Sequence, residues 1–217
     1  MDEQLTPRLL LSAYASGVFP MAESADSDEI FWFNPEKRGV MPLDGFHVSR
    51  SLRKAMRAKK LKITANQCFS DVMSACANRE ETWINPEITA LYTELHEVGH
   101  AHSIEVWMGS DLIGGLYGVS LGAAFFGESM FSRQNNGSKM ALVGLLARLN
   151  LGGFKLLDMQ FLTPHLASLG GIEISQEDYQ NQLEAALVLK ADFYRLKATA
   201  PYSLLALSVS HDNTQMS

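Results

Sequence analysis

The stretch Phe125–Leu149 constrains the fold most, because an apolar strand pattern leads through a polar turn directly into an apolar helix. The strand contains one carboxylate, Glu128, beside Gly127, whose missing Cβ lets a ligand approach the backbone. Two asparagines and a glycine form the turn, and Ser138 is predicted to cap the helix. Such a junction often binds a negatively charged ligand. The local pattern alone favours a structural interpretation, with Glu128 paired in the core.

Hydrophobic patterns on either side of this stretch predict a mixed sheet. Residues 86–98 form an amphipathic helix that begins with a proline, and Gly99 ends it. The elements that follow have the order of an α/β (α+β) fold, in which the principal helix crosses over between neighbouring strands. The strands are predicted at 103–108, 112–119, 123–131 and 155–161, and the helices at 139–149 and 176–187.

The first 45 residues are too few to bury a core of their own. We therefore predict a small N-terminal domain, residues 1–45, packed against a larger domain, residues 46–217. Within the small domain, the aromatic strand Ile30–Phe33 is predicted to pair with Val40–Leu43 in a hairpin.

Composition and charge narrow the class of protein. A chain of 217 residues with 47% hydrophobic content can bury a substantial core. Its net charge of −6 argues against a general coat for nucleic acid and leaves room for a local basic patch. Cys68 and Cys76 lack a metal-like spacing, which is typical of a reducing compartment. With no predicted signal peptide and no apolar stretch of membrane-spanning length, the expected location is the cytoplasm, without membrane attachment.

The local basic patch is predicted in Ser49–Lys62, which contains no acidic residue. Leu52 and Met56 are four residues apart, so one helix face packs while the other carries the charges. An ordinary solvated helix face and a docking surface for a phosphate backbone both fit this pattern. The basic residues are Arg50, Arg53, Lys54, Arg57, Lys59, Lys60 and Lys62.

The residues His96–His100 match H-E-x-x-H, the zinc metalloprotease motif. That motif needs a helix that continues through its second histidine, and Gly99 sits where this helix is predicted to stop. His102 lies on the following segment, at a spacing that fits no usual third ligand. We therefore predict no metal site and interpret the histidines as hydrogen-bonding groups at a helix C-terminus.

Asp158 and Gln160 are predicted to share one face of an otherwise apolar strand. Two buried polar side chains are costly unless they are hydrogen-bonded or used in chemistry. We expect Asp158 to hold the Gln160 amide in one orientation, and Glu128 on a nearby strand to supply a third group. A purely structural pair is the alternative. Trp83 lies in a polar loop, where a flat ring can serve as a stacking platform for a base.

A series of distinctive sequence segments follows in the order and spacing of one family. The chain closely resembles the leucyl/phenylalanyl-tRNA–protein transferases over about residues 6–187. The segments are Gly17–Pro20, Trp32–Pro35, Arg38, Ser49–Ser51, Thr82–Ile84, His96–Trp107, Gly114–Val119, Gly127–Ser132 and Ala167–Gly170.

The resemblance implies an aminoacyltransferase. Such enzymes move leucine or phenylalanine, and methionine less well, from aminoacyl-tRNA to proteins that begin with Arg or Lys, which marks those proteins for degradation. The implied fold is a small N-terminal domain on a larger domain similar to the GNAT-type N-acetyltransferases. The ester is already activated, so the reaction needs orientation, amine deprotonation and oxyanion support, without a cofactor, ATP or metal.

By position, the resemblance assigns Asp158 and Gln160 to proton removal from the acceptor amine and Glu128 to contact with the reacting groups. Because a glutamine is a poor base, we interpret Gln160 as an orienting group. The amino acid would enter an apolar pocket that discriminates weakly among Leu, Phe and Met. Its implied lining is Leu116, Phe125, Met130, Leu142, Leu145, Leu149 and Leu157.

The chain departs from the family at one nucleotide-binding position. Some members hold the terminal adenosine with two tryptophans; Trp83 matches one, and Met21 occupies the other position. A thioether offers a purine less stacking area than an indole. The basic run Arg50–Lys62 gains a partner in the phosphates of the tRNA acceptor stem. Glu128 and an acidic loop with Asp26 and Asp28 are alternatives for recognising the acceptor's basic side chain.

Other functions remain as alternatives. An acyl-CoA-dependent N-acetyltransferase of the same fold would need a [QR]-x-x-G-x-[GA] turn, and counting from Gln134 puts Lys139 where a small residue is required. An RNA-binding module without chemistry would leave Asp158, Gln160 and the apolar pocket unexplained. A zinc protease ranks last. Nothing in the sequence calls for a partner chain, so a monomer is expected.

Overall fold

A seven-stranded mixed sheet organises the computed structural model, which describes residues 5–25, 27 and 29–197. Two further strands pair outside it. The strands are β1 Phe19–Ala22, β2 Ile30–Phe33, β3 Lys37–Val40, β4 Leu61–Ala65, β5 Ala101–Met108, β6 Asp111–Leu121, β7 Ala124–Ser132, β8 Leu156–Asp158 and β9 Ile172–Ser175. The helices are α1 Pro7–Ala15, α2 Arg50–Ala55, α3 Phe69–Ala77, α4 Pro86–Glu97, α5 Gly137–Gly152, α6 Pro164–Ser168 and α7 Gln176–Leu187.

The large sheet has the strand order β4-β5-β6-β7-β8-β3-β9, and β1 pairs with β2. β7 and β8 run parallel, whereas the other pairs are antiparallel. Parallel neighbours need a crossover connection, and α5 provides it. The mixed α/β class with a small N-terminal part, and the crossover by the principal helix, are therefore confirmed.

The sheet separates two apolar layers, because alternate side chains of each strand point to opposite faces. Leu116 and Phe125 face the layer that contains α5, and their neighbours Tyr117 and Phe126 face the layer of α1, α3, α4 and α7. α5 is apolar on all sides and most of its residues are buried. Among the described residues, no helix is long and apolar enough to cross a membrane.

The helix α5 begins earlier than predicted. Asn136 occupies the N-cap with a left-handed φ of 67°, and Gly137 is the first helical residue. Ser138 lies inside the first turn, where its backbone N–H donates to Ser132 Oγ at 3.3 Å. The predicted Ser138 cap is therefore wrong, because the N-cap lies two residues earlier, at Asn136.

The predicted N-terminal hairpin is also wrong. β2 pairs with β1, as in Met21 opposite Phe31, and β3 enters the large sheet between β8 and β9. Pro35 interrupts the chain between β2 and β3. Arg38, on β3, forms a buried ion pair with Asp158 of β8, which accounts for where β3 inserts. The division at residue 45 stays a prediction.

The basic run is shorter as a helix than predicted. α2 ends at Ala55, a turn follows, and β4 begins at Leu61 because this segment pairs with β5. Leu52 and Met56 are buried as predicted. The basic side chains therefore lie on a helix, a turn and a strand rather than along one helix face.

Close backbone packing between α5 and β6 generates a stability prediction. A Cβ added at Gly114 would lie 2.5 Å from the Cα of Gly137, and backbone atoms at that distance cannot rotate away. We expect Gly114→Ala to lower the free energy of unfolding by about 2 kcal/mol or more, in the range of overpacked cores. Urea unfolding at neutral pH measures this change. Ser110→Ala, in the exposed turn between β5 and β6, serves as the control and should stay within about 0.5 kcal/mol of wild type. Equal stability of the two variants would contradict the close packing.

Candidate active site

A pocket of about 320 Å³ opens between the large sheet and the β1–β2 pair, a size typical of small-molecule sites. Its buried apolar side chains include Leu116, Leu142, Leu145 and Leu166, and Met130 and Met159 are half-buried. Met21 and Trp83 are also half-buried, and Phe161 is exposed. Among the described residues that line it, Glu128 is the one acid and Arg79 the one cation. The remaining lining residues are Phe19, Pro20, Tyr117, Gly127, Ser129, Gln160 and Thr163.

The structure brings together part of the expected apolar lining. Leu116, Met130, Leu142 and Leu145 line the pocket, as do Met21 and Trp83. Three expected residues do not line it and lie in the buried layer around α5 instead: Phe125, Leu149 and Leu157. Phe125, for example, packs against Phe154 and Phe193. Residues of this layer support the pocket wall from behind.

Glu128 reaches the pocket through an irregularity in the sheet. Tyr117 of β6 lies opposite Ser129 of β7, and Gly118 lies opposite Gly127, so Glu128 is the extra residue of a β-bulge. Bulges commonly occur beside active sites because they redirect one side chain while the strand continues. The alternation of apolar and polar residues in the sequence does not predict that a bulge lies at Glu128.

Three donors surround the Glu128 carboxylate. Oε1 accepts hydrogen bonds from the Tyr14 hydroxyl at 2.7 Å and from Gln160 Nε2 at 3.0 Å. Oε2 accepts one from the Tyr92 hydroxyl at 3.0 Å, and the two tyrosine hydroxyls also contact each other.

Burial raises the pKa of Glu128 to about 7 from an ordinary value of 4.5. The hydrogen bonds from Tyr14 and Tyr92 act in the opposite direction, the negative charge of Asp158 raises the pKa further, and Arg38 lowers it. A carboxylate with this balance can take up and release a proton near neutral pH.

Asp158 has a different environment and does not line the pocket. It is completely buried, and Arg38 holds it with Nε–Oδ1 at 2.9 Å and Nη2–Oδ2 at 2.6 Å. The Tyr179 hydroxyl donates to Oδ2 at 2.7 Å, and the Gln160 backbone N–H donates to Oδ1 at 2.8 Å. Each carboxylate oxygen therefore accepts two good hydrogen bonds, which fills its capacity.

The predicted strand arrangement of Asp158 and Gln160 is wrong. β8 ends at Asp158, and Gln160 has a positive φ of 54°, so the two side chains do not share a strand face. Asp158 accepts the backbone N–H of Gln160 instead of contacting its amide group. The bend turns the Gln160 side chain to Glu128, so all three predicted residues belong to one connected network.

Sequence analysis missed four residues of this network, Tyr14, Arg38, Tyr92 and Tyr179, and also Arg79 at the edge of the pocket. Helical spacing predicts that Tyr14 and Tyr92 point inward, but only the tertiary structure shows that their hydroxyls meet one carboxylate. Arg38 lies between the rings of Phe19 and Tyr179, at 4.5 and 4.4 Å from their centroids.

Arg79 is anchored at the edge of the pocket. Its Nε donates to the Cys76 carbonyl at 2.9 Å, and its Nη2 donates to the Ser129 hydroxyl.

The seven basic side chains of the predicted patch are all exposed. The structure shows no carboxylate within ion-pair distance of any of them in the part of the chain that it describes. They form an open cluster of positive charge on a protein of net negative charge. Asp26 and Asp28, the alternatives for acceptor recognition, lie outside the described residues.

The histidine motif has the geometry of a helix end. α4 stops at Glu97 and Gly99 has a φ of 84°, as predicted. Nδ1 of His96 donates to the Ala101 carbonyl at 2.8 Å, and Nδ1 of His100 donates to the Ser120 carbonyl at 3.1 Å. Over residues 5–25, 27 and 29–197, no group of three or more His, Cys, Asp or Glu side chains is arranged to hold a metal ion.

Comparison with known proteins gives one consistent family. The profile described as "Leucyl/phenylalanyl-tRNA protein transferase" matches residues 40–184, and that of its N-terminal domain matches residues 3–36. Relatives named leucyl/phenylalanyl-tRNA–protein transferase include one from Cereibacter sphaeroides, 59% identical over 87% of this chain and 88% of the relative. Another, from Ruegeria sp., is 57% identical over 93% of this chain and 96% of the relative.

One solved structure, the C-terminal DUF2156 domain of a putative lysylphosphatidylglycerol synthetase from Agrobacterium fabrum, is matched over 84% of this chain and 57% of the solved chain. It has 11% sequence identity and a TM-score of 0.39, which does not establish a shared fold.

The raised pKa of Glu128 predicts a pH-dependent cost to stability. Between pH 4.5 and about 7, the folded protein keeps a proton that the unfolded chain has lost, so ionisation of Glu128 lowers the free energy of unfolding as pH rises. Gln in place of Glu128 does not titrate, and its amide can accept from Tyr14 and donate to Tyr92. We expect Glu128→Gln to gain about 1–3 kcal/mol relative to wild type between pH 4.5 and pH 8.

Paired urea titrations of both proteins across this pH range measure the gain. All other titrating groups are common to both proteins and cancel. Glu184→Gln, an exposed position on α7, is the matched control and should follow wild type. Parallel pH profiles for wild type and Glu128→Gln would contradict the raised pKa.

Proposed function

Because the chain belongs to the leucyl/phenylalanyl-tRNA–protein transferase family, we propose that it transfers Leu, Phe or Met from aminoacyl-tRNA to proteins that begin with Arg or Lys. The modified proteins would then be directed to degradation in the cytoplasm. One observation carries the chemistry: a carboxylate with a pKa of about 7 lines an apolar pocket. The free thiols of Cys68 and Cys76 fit a reducing compartment.

The pocket accounts for the donor amino acid. Its lining is dominated by flexible apolar groups such as Leu142, Leu145, Met130 and Met159. Such groups adapt to Leu, Phe and Met with small differences in free energy, because these side chains are apolar and unbranched at Cβ. A charged donor side chain would lose its hydration there without a partner.

Glu128 is proposed as the group that accepts the proton of the acceptor's α-ammonium. An α-amino group has a pKa of about 8, so a base with a pKa near 7 is well matched to it. The free amine attacks the ester carbonyl, an amide bond forms, and the ester C–O bond breaks. The attacking nitrogen loses a second proton as the amide forms, and the ribose alkoxide of the departing tRNA takes up that proton to become a hydroxyl.

Gln160 and Asp158 are proposed as positioning residues in this scheme. Gln160 donates to Glu128 through Nε2, which leaves its side-chain carbonyl available to the incoming amine. Asp158 fixes the bend that orients Gln160 and is itself saturated by Arg38, Tyr179 and the Gln160 backbone. Both oxygens of Asp158 are occupied and Asp158 does not line the pocket, so it has no free acceptor position to offer the incoming amine.

The basic cluster is proposed to contact the acceptor stem. Its side chains, including Arg50, Arg53 and Lys54, are exposed and have no carboxylate partner among the described residues. Free cations can replace the counterions of a phosphate backbone. We propose that the enzyme acts as a monomer, since the described site is complete within one chain.

An acyl-CoA-dependent acetyltransferase fits the helix junction less well. The first turn of α5 already uses its backbone donors: Gly137 N–H donates to the Gln134 carbonyl, and Ser138 N–H donates to Ser132 Oγ. A Cβ at Gly137 would lie 2.5 Å from the Ile113 carbonyl oxygen, so β6 covers this turn. A pyrophosphate needs such donors free and accessible.

A transfer assay tests the proposed function. Labelled Phe-tRNA or Leu-tRNA is offered with a peptide that begins with Arg and with one that begins with Ala, in the presence of a metal chelator. We expect label on the Arg peptide only, and kcat/KM should rise with pH through a midpoint near 7 as Glu128 ionises. No transfer to either peptide would refute the proposal, and acetyl-CoA would be the next donor to test.

Variants in the same assay separate the base from the positioning residues. Glu128→Gln should lose at least about 100-fold in kcat, the usual share of a general base, although it should be no less stable than wild type. Glu184→Gln should retain full activity. Asp158→Asn should be destabilised by several kcal/mol, because it leaves the Arg38 charge buried without a carboxylate. A stable Asp158→Asn variant that loses its pH midpoint, beside an active Glu128→Gln, would reverse the two roles.

A further inference from the structure

An exposed aromatic strand borders the pocket. In β2, Phe31 is 46% exposed and Trp32 is 40% exposed, whereas Phe19 on the paired strand is 2% exposed. Exposed large rings beside a pocket commonly mark a binding surface, since water is a poor environment for them. The chemistry of transfer described so far uses neither Phe31 nor Trp32.

The register of β1 and β2 places Phe31 beside Met21, a residue of the pocket lining to which Phe31 itself does not belong. Phe31 is directly opposite Met21, which lines the pocket. Opposed residues of an antiparallel pair share a face, with Cβ atoms about 5 Å apart. Trp32 is opposite Pro20 and therefore projects from the other face. Of these two adjacent exposed rings, Phe31 therefore lies next to Met21 and Trp32 does not.

A second aromatic residue of the lining, Trp83, lies on an anchored loop. Trp83 lines the pocket, and Asn85, two residues later, donates from Nδ2 to the Ser27 carbonyl at 2.8 Å. Asn85 also caps α4 by accepting the backbone N–H of Ile88 at 2.8 Å. The loop that carries Trp83 is therefore tied to the connection between β1 and β2.

The chemistry of the donor identifies what lies at this opening. When the amino-acid side chain fills the apolar pocket, the ester joins it to a ribose, and a base is attached to that ribose. The base must therefore lie within one nucleoside of Glu128, near Met21 and Trp83. Arg79, the one cation among the described lining residues, is available there for the adjoining phosphate.

We propose that Phe31 stacks on the terminal adenine of the aminoacyl-tRNA and supplies the aromatic surface that Met21 lacks. The inference rests on the proposed function and adds a binding residue to its nucleotide site. The adenine lies against Trp83 on one side of the opening and against Phe31, with Met21 beneath it, on the other. Stacking of this kind contributes strongly to the binding of single-stranded nucleic acid and tolerates any flat base.

Binding of two small probes tests this role without the tRNA body. The first is 3′-deoxy-3′-phenylalanylamino-adenosine, whose amide is not transferred; the second is phenylalanine amide, which lacks the nucleoside. We expect Phe31→Leu to weaken binding of the adenosine probe by about 5- to 100-fold, the range for loss of one stacking ring. Binding of phenylalanine amide should stay unchanged.

Three further variants make the test specific. Phe31→Tyr keeps the ring and should bind within about threefold of wild type. Adding Met21→Trp to Phe31→Leu should restore most of the lost affinity, because it rebuilds a ring on the same face. Trp32→Leu, the matched exposed ring on the other face, should bind both probes as wild type does. Thermal unfolding of each variant confirms that it is folded.

Each contrary outcome overturns the proposal. These outcomes are unchanged adenosine-probe binding in Phe31→Leu, equal weakening of both probes, and an equal effect of Trp32→Leu. A raised KM for the Arg peptide with an unchanged KM for aminoacyl-tRNA would assign Phe31 to the acceptor instead. Label transfer by the wild-type protein is measured in parallel, so failure of the stacking role is distinguished from failure of the transferase function.

Discussion

The buried pair of Arg38 and Asp158 connects the parts of the molecule that form the site. Arg38 comes from β3, Asp158 from the end of β8, and Tyr179 of α7 donates to the same carboxylate. Arg38 also donates from Nη1 to the Gly17 carbonyl at 2.8 Å, just after α1. The pair therefore fixes the N-terminal segment, which contributes Tyr14, against the sheet that contributes Glu128. Removing either Arg38 or Asp158 would leave the other buried with an unpaired charge, so each residue requires the other.

The two nearby carboxylates, Asp158 and Glu128, have different hydrogen-bond partners. Asp158 meets a guanidinium, and each of its oxygens accepts two hydrogen bonds. Glu128 meets only neutral donors, and burial raises its pKa to about 7. The negative charge of Asp158 adds to this effect. One carboxylate is thus used for structure, and its charge helps the other to exchange protons at neutral pH.

The sequence predicted those parts of the fold in which local pattern and tertiary contacts agree. The helix that begins at Pro86 has a clear hydrophobic period, and the β5–β6 hairpin and the crossover helix α5 are apolar runs bounded by turn residues. The predicted partner of β3 is wrong because the place of β3 in the sheet depends on the ion pair between Arg38 and Asp158, which are 120 residues apart in sequence. Gln160 was placed on a strand because nothing in residues 155–161 signals that the backbone turns to a positive φ after Asp158.

In the candidate site too, only residues that stand out from the local sequence pattern could be predicted. Glu128, Asp158 and Gln160 were named from the sequence, since isolated polar residues in apolar strands are conspicuous. Tyr14 and Tyr92 were not, because a tyrosine at an inward helical position has the same spacing whether or not its hydroxyl has a partner. The bulge at Glu128 could not be predicted either, because it depends on the register between β6 and β7.

The uneven distribution of charge has a consequence for how a polyanion would approach. A net charge of −6 repels nucleic acid from most of the surface, while the exposed cations of α2, the following turn and β4 attract it locally. A uniformly basic protein would bind a tRNA in many orientations with similar affinity. Here the repulsion disfavours those other orientations, so the position of one small cluster decides the approach. Under the proposed function, the apolar pocket and the neighbouring ring of Phe31 would then need to distinguish only the last nucleotide and the amino acid it carries.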